Sequence, residues 1–251
     1  MSGHSKWKTN KGKKMVADAK KGAMYTKLIK EITVLAREGG GNSDINIKLR
    51  TAMARAKEAN MPFDNVKMAI KRGTGELPGI IYETVMYEAY GPAGVAILIE
   101  ALTDNKNRTT AEIRNIMSKK GINMAGAGSV NWMFTKKGYF LIDKSQLKEE
   151  ELMSVVLDAG AEDFKSDDKN YEITTSMQDF EKVKQALAEK GITCQDAELT
   201  MVPSSTIKVT GNDAKQVLAL IDALEEHDDV QQVYANFDIP DEILEQVAAQ
   251  G

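Results

Sequence analysis

The apolar positions of this chain change period along its length, and the changes mark out its elements. Between Met24 and Glu38, Leu28, Ile29, Ile32, Leu35 and Ala36 recur at helical spacing and predict one amphipathic helix, with Lys27, Lys30 and Arg37 on another face. Gly39-Gly40-Gly41-Asn42 ends it, because successive glycines forfeit helix propensity and supply turns with positive φ. Ser43 or Asp44 then caps a second helix to about Ala59, with a stripe of Ile45, Leu49, Ala52, Met53 and Ala56, and with Lys48 and Arg55 sharing a face. Pro62 breaks the chain and starts a short helix through Val66 and Ile70 to Gly73. Residues 1–22 are Lys-rich and carry few large apolar side chains besides Trp7, Met15 and Val16, which reads as a flexible arm or a loose first helix. Residues 1–79 are therefore expected to form a small all-helical domain.

After the turn-rich stretch 73–79 the pattern becomes extended. Tyr82–Tyr90 alternates as a strand, Gly91-Pro92-Ala93-Gly94 is a tight turn, and Val95–Leu102 is apolar except for Glu100, as in a buried central strand. Thr103–Arg108 reads as a polar loop. Thr109 and Glu112 make a capping box for a helix with Ile113, Ile116 and Met117 inside. Gly126–Ser129 is a loop before a strand at Val130–Phe134.

Residues 138–202 read as strand, helix, two strands, helix, strand, which is the ferredoxin-like plait. A strand at Ile207–Thr210, a helix carrying Val217, Leu220, Ile221 and Leu224, and a strand at Val230–Phe237 cannot cover their own sheet. They are expected to complete 80–137. The predicted fold class is α+β and multidomain. It comprises a basic helical domain at 1–79, a discontinuous α/β middle domain at 80–137 and 203–240, an inserted plait at 138–202 and a tail at 241–251.

Composition adds a class and charge adds an asymmetry. Hydrophobic residues make up 42 % of 251, enough for two or three cores. No apolar run approaches the roughly 20 residues that span a bilayer, and the basic N-terminus lacks the apolar region of a signal peptide. With Cys194 as its single cysteine, the chain reads as a cytoplasmic protein without an internal disulfide. Residues 1–75 carry 17 Lys and Arg against 6 Asp and Glu, a net of +11. The remainder carries −15, a split that the whole-chain charge of −4 conceals. A basic module on an acidic body is the asymmetry of a protein that docks one part on a polyanion.

Catalytic and metal chemistry are not suggested. His4 and His227 are the two histidines, and neither stands in a two-His ligand pattern. Cys194 lies in a predicted strand with no neighbouring histidine, and no triad or ligand cluster stands out, so neither an enzyme nor a cofactor is expected. The glycine-rich stretches lack phosphate-loop spacing. Glu149-Glu150-Glu151 suits the first turn of a helix, and Asp228-Asp229 reads as a surface turn.

The candidate nucleic-acid contacts are Lys6, Lys8, Lys11, Lys13, Lys14, Lys20 and Lys21 on the arm, and Lys27, Lys30 and Arg37 on the first helix. Trp7 would either stack on a base or anchor the arm to the protein. Asn105, Lys106 and Arg108, at a helix N-terminus, form a secondary candidate for an anion, although a capped loop explains them as well. The glycines of 126–129 would let backbone amides approach a ligand, against the plainer reading of a turn.

Seven stretches carry a resemblance. They are Gly3-His4-Ser5-Lys6-Trp7; Asp18-Ala19-Lys20-Lys21-Gly22 with Thr26-Lys27-Leu28-Ile29; Ala36-Arg37-Glu38-Gly39-Gly40-Gly41; Ala56-Lys57 with Ala59-Asn60-Met61-Pro62; Ile70-Lys71-Arg72-Gly73-Thr74-Gly75; Tyr87-Glu88 with Tyr90-Gly91-Pro92; and Thr103-Asp104-Asn105 with Asn107-Arg108-Thr109. In this order they resemble the YebC/PmpR family, whose mitochondrial member is a translational activator of cytochrome oxidase subunit one.

The resemblance covers most of the chain and implies three domains, one helical and two α/β. It implies a DNA-binding transcriptional regulator. The alternative it implies is a translation factor that binds ribosomal RNA and helps the ribosome through proline-rich stretches. Where many members read Asn-Ile-Lys-His-Arg-Lys after the tryptophan, this chain has Thr9-Asn10-Lys11-Gly12-Lys13-Lys14, so lysines stand where a planar guanidinium would otherwise act. The Lys-rich, Arg-poor arm suits sequence-independent phosphate binding. A protein-interaction scaffold using the plait is a third class.

Overall fold

The structure is a computed structural model that describes residue 7 and residues 18–250. Three helices open it: α1 (Asp18–Gly39), α2 (Ile47–Glu58) and α3 (Phe63–Gly73). Leu28, Ile32 and Ala36 of α1 pack against Leu49, Ala52 and Ala56 of α2 and Val66 and Ala69 of α3. α1 and α3 meet closely at Gly73, where a Cβ would stand 2.4 Å from the Thr33 carbonyl oxygen and 2.8 Å from Ala36 Cβ.

Two sequence expectations fail at the start of α2. The cap is Asn46, not Ser43 or Asp44. Asn46 Oδ1 accepts from the Leu49 amide at 3.1 Å while Nδ2 donates to the Leu35 and Gly40 carbonyls, each at 2.9 Å. One side chain thus caps α2 and satisfies carbonyls at the end of α1. Because the helix begins after this cap, Ile45 falls outside the apolar stripe and is 77 % exposed.

The chain continues through β1 (Glu83–Tyr90), β2 (Ala96–Thr103), α4 (Lys106–Ser118) and β3 (Phe134–Asp143). Then come α5 (Glu149–Asp158), β4 (Ala161–Ser166), β5 (Asn170–Thr175), α6 (Phe180–Glu189) and β6 (Cys194–Pro203). It closes with β7 (Ile207–Lys208), α7 (Gly211–Glu225), β8 (Val230–Ala235), β9 (Phe237–Asp238) and α8 (Asp241–Gln250). One antiparallel sheet has the order β1-β2-β8, so the apolar Val95–Leu102 run is its central strand. Ile113 and Met117 of α4 and Val217, Leu220, Ile221 and Leu224 of α7 cover one face. Ala96, Leu98 and Tyr234 on the other face meet Val130 and Phe134.

The second sheet has the order β4-β5-β3-β6, all antiparallel, with α5 and α6 packed through Leu152, Val156, Phe180, Val183 and Leu187. This is the ferredoxin-like β-α-β-β-α-β plait, and it lies in sequence between the first two strands and the third of the other sheet. A hydrogen-bonded box precedes α6: Ser176 Oγ donates to Asp179 Oδ2 at 2.8 Å and accepts from the Asp179 amide at 3.1 Å.

The strand predicted at Val130–Phe134 and the first strand of the 138–202 unit are replaced by the single strand β3, preceded by a 3₁₀ turn at Asn131–Met133. The amides of Val130 and Asn131 cannot enter a ladder because the Glu88 carboxylate holds them, at 2.6 and 2.9 Å. β7 does not join the main sheet either; it pairs in parallel with β9 alone.

Candidate nucleic-acid interface

Five of the arm candidates, Lys6, Lys8, Lys11, Lys13 and Lys14, lie outside the described residues. Lys20 falls in the first turn of α1, and Lys21 is exposed there. Trp7 is 2 % exposed, belongs to the core between α7 and the three-stranded sheet, and donates from Nε1 to Asp222 Oδ1 at 3.3 Å. The anchoring reading holds, and base stacking by Trp7 is corrected: a ring sunk in the middle core offers no face to a base.

Lys27 and Lys30 of α1 face the middle domain. Lys27 Nζ donates to the Glu225 carbonyl at the C-terminal end of α7, where the helix dipole favours a cation. Lys30 is buried and donates to the Asp228 carbonyl at 3.1 Å and to the Asp229 carboxylate. Its ammonium also stands 5.8 Å from the Tyr82 ring centroid. The placing of Lys30 among nucleic-acid contacts is therefore corrected: the helix face that carries it is an internal docking face. Arg37 remains exposed, with its guanidinium 3.5 Å from the Ile80 and Tyr82 carbonyls.

The Thr103–Arg108 loop does receive an anion, and the anion is the protein's own Asp229. Asn105, not Thr109, caps α4, its Oδ1 accepting from the Arg108 amide at 3.1 Å. The cap lies four residues earlier than expected, which turns Thr109 inward. Asp229 Oδ2 accepts from Arg108 Nη2 at 2.8 Å and from Thr109 Oγ1 at 2.6 Å. Arg108 also binds Asp104 at 2.9 Å, while Lys106 is exposed. Burial alone would raise the Asp229 carboxyl pKa; hydrogen bonds from Lys30, Thr109 and Arg108 outweigh it and hold the group well below the usual carboxylate range. Asp229 is not the surface turn expected from its sequence.

The Gly126–Ser129 loop is closed in the same way. Buried Glu88 accepts from the amides of Gly128, Val130 and Asn131 at 2.7, 2.6 and 2.9 Å. Burial pushes its pKa up, but these backbone bonds pull it below the ordinary value. Within the loop itself the Gly128 amide is thus taken by Glu88, and the Ser129 amide donates to the Gly126 carbonyl at 3.2 Å.

Glu112, His227 and Asp229 are the one group of potential metal ligands among the described residues. His227 Nδ1 accepts from the Asp229 amide at 3.1 Å, so the proton sits on Nε2 and is shared with Glu112 Oε2 at 2.9 Å. Both ring nitrogens are engaged, and Lys30, Arg108 and Thr109 occupy the Asp229 carboxylate, so the arrangement reads as a closed polar cluster. Cys194 is half-buried, and burial pushes its thiol pKa up, away from thiolate chemistry.

The open positive surface lies on α2 and α3. Residues 47–73 carry seven basic and two acidic side chains, all exposed. Arg55 is paired with Glu31 at 2.9 and 3.1 Å, whereas Lys48, Arg50, Lys57, Lys67, Lys71 and Arg72 stand on the rest of that surface. The candidates expected from the sequence lie on the arm, on α1 and at Asn105, Lys106 and Arg108, and do not include these six. Their signal was present: each lies off the apolar stripe of a helix whose polar positions are mostly basic.

A basic helical domain latched to two α/β domains, one inserted in the other, defines the class of protein to which this structure belongs. The chain is a member of the TACO1/YebC family: residues 5–76 match the family's N-terminal domain and residues 82–237 its second and third domains. It is 54 % identical over 248 residues to a protein of Natranaerobius thermophilus, covering 98 % of this chain and 99 % of that one. It is 53 % identical over 249 residues to one of Dictyoglomus turgidum, covering 99 % and 100 %. Both carry the name "Probable transcriptional regulatory protein". The crystal structure of a conserved hypothetical protein from Aquifex aeolicus shares the fold, with a TM-score of 0.77 and 44 % identity over 90 % of this chain and 94 % of that one. No described helix is long and apolar enough to cross a membrane.

Proposed function

We propose that this protein is a non-enzymatic, cytoplasmic regulator of gene expression that binds nucleic acid through its N-terminal helical domain. The observation that carries this reading is the seven-to-two excess of exposed basic side chains on α2 and α3, set on a body of opposite charge. The arm lysines Lys6, Lys8, Lys11, Lys13 and Lys14 extend that charge in sequence. The names of the relatives favour the form in which the target is DNA and the process transcription.

A second reading, a translation factor bound to ribosomal RNA, is favoured by one feature. Phe63 is 60 % exposed on the positive surface, and an exposed ring stacks on unpaired bases, which folded RNA displays and duplex DNA does not.

Sedimentation of lysate through sucrose, with and without dissociation of ribosomal subunits, separates the two. Co-migration with ribosomes that is lost in the Lys11→Glu, Lys13→Glu, Lys14→Glu variant supports translation. Absence from ribosomes together with salt-resistant binding to one promoter supports transcription. A protein that binds neither ribosomes nor DNA contradicts the proposal.

A further inference from the structure

We propose that the bend joining α2 to α3 is a pocket for one unpaired base of a nucleic-acid strand. This rests on the nucleic-acid reading above and assigns it a site. The bend encloses a cleft of about 630 Å³ with Met53, Met61 and Val66 as its apolar lining and Lys57, Asn60 and Phe63 at its sides. That volume lies within the roughly 300–1,000 Å³ usual for small-ligand clefts.

The bend is held in shape. Asn60 has φ of 57°, a left-handed conformation that Asn tolerates, and the Tyr25 hydroxyl, placed between the Asn60 and Ala59 carbonyls at 2.7 and 3.2 Å, ties it to α1. The Met61 amide donates to the Ala56 carbonyl at 2.9 Å, closing the end of α2. A cleft pinned in this way needs little ordering when something binds.

Its chemistry matches a nucleotide. Phe63 is an exposed aromatic face, and Lys67 Nζ stands 4.8 Å from its ring centroid. A base stacked on Phe63 would find apolar methionine surface beside it, an exposed Asn60 amide to meet its hydrogen-bonding edge, and Lys57 and Lys67 for the flanking phosphates. The net positive charge of 47–73 selects a polyanion over a neutral apolar partner.

The test uses the full chain and fluorescein-labelled decauridylate and decathymidylate in anisotropy titrations, with NMR of the methionine methyls in parallel. Base stacking on an aromatic contributes about 1–3 kcal/mol, so Phe63→Ala is expected to weaken binding by roughly 5- to 150-fold. Phe63→Trp should retain binding, and the salt dependence should stay unchanged because the phosphate contacts remain. The Met53 and Met61 methyls should shift on adding either oligonucleotide, while Met117, buried in the middle domain, stays in place. Tighter binding of decauridylate assigns the strand to RNA and the reverse to DNA, and either supports the pocket.

Wild-type binding that is unaltered in Phe63→Ala, or that leaves Met53 and Met61 unmoved, overturns the pocket but not the nucleic-acid reading. Failure of the wild type to bind any single- or double-stranded polynucleotide overturns that reading itself. A cleft that takes an acidic peptide and no oligonucleotide also overturns the proposal.

Discussion

Lys30 and Asp229, 199 positions apart, form a buried hydrogen-bonded ion pair that joins the first helix to the end of the α/β body. Their side chains are 9 % and 5 % exposed, and Arg108 binds the second carboxylate oxygen at 2.8 Å. A buried charge is tolerable only when paired and hydrogen-bonded, so each member of this cluster depends on the others.

Removing the carboxylate should therefore be costly. Asp229→Ala leaves Lys30 buried without its partner and is expected to destabilise the protein by about 3–5 kcal/mol. Lys30→Met should cost less, since Asp229 keeps Arg108 and Thr109. Denaturant unfolding of both variants measures the difference, and limited proteolysis across residues 74–82 should accelerate most in Asp229→Ala.

The acid limb of stability should report the same group. The folded-state pKa of Asp229 lies below its unfolded value, so its contribution is complete above the ordinary carboxylate pKa of about 3.9 and is lost as pH falls towards the folded value. Glu88 acts in the same direction. Melting temperature should be flat from pH 7 to about 5 and fall below that. Asp229→Asn should start lower and fall less steeply.

Glu88→Gln replaces an oxygen acceptor by an NH₂ group facing amide donors. The expected cost is about 1–3 kcal/mol. Its signature should be faster hydrogen exchange at Gly128, Val130 and Asn131, the three amides that Glu88 now holds. Exchange in the plait should be unchanged.

Trp7 and Trp132 should behave as opposites in fluorescence, because one is 2 % and the other 71 % exposed. Trp132→Phe should leave a blue emission shielded from iodide, and Trp7→Phe a red, quenchable one. Trp7→Ala should cost about 3–5 kcal/mol as a core truncation.

These interactions also show what the sequence could and could not disclose. The helical domain, the central strand at Val95–Leu102 and the inserted plait were legible because period, glycines and prolines are local signals. Lys30, Trp7 and Asp229 were not, because each takes its partner from more than a hundred positions away. A lysine on the polar side of a stripe looks solvent-facing until a second domain covers it. Asn46 and Asn105 displaced the expected caps because tertiary hydrogen bonds, to Leu35 and through Thr109 to Asp229, chose between adjacent polar residues. The two loops read as ligand sites, at 103–108 and 126–129, had the right chemistry for an anion. In both, a carboxylate from elsewhere in the fold fills the place.

The exposed lysines of α2 and α3 are expected to bind a polyanion, and the salt dependence of binding measures that contact. The logarithm of the binding constant for a nucleic-acid strand should fall linearly with the logarithm of salt concentration. Each phosphate left without its lysine should reduce the slope by about 0.7–0.9. Changing Lys57, Lys67 and Lys71 to Gln together should weaken binding and flatten the slope by roughly 2 to 3, with the melting temperature unaltered because all three are exposed. An unchanged affinity and slope in that variant would show that these lysines do not contact the polyanion.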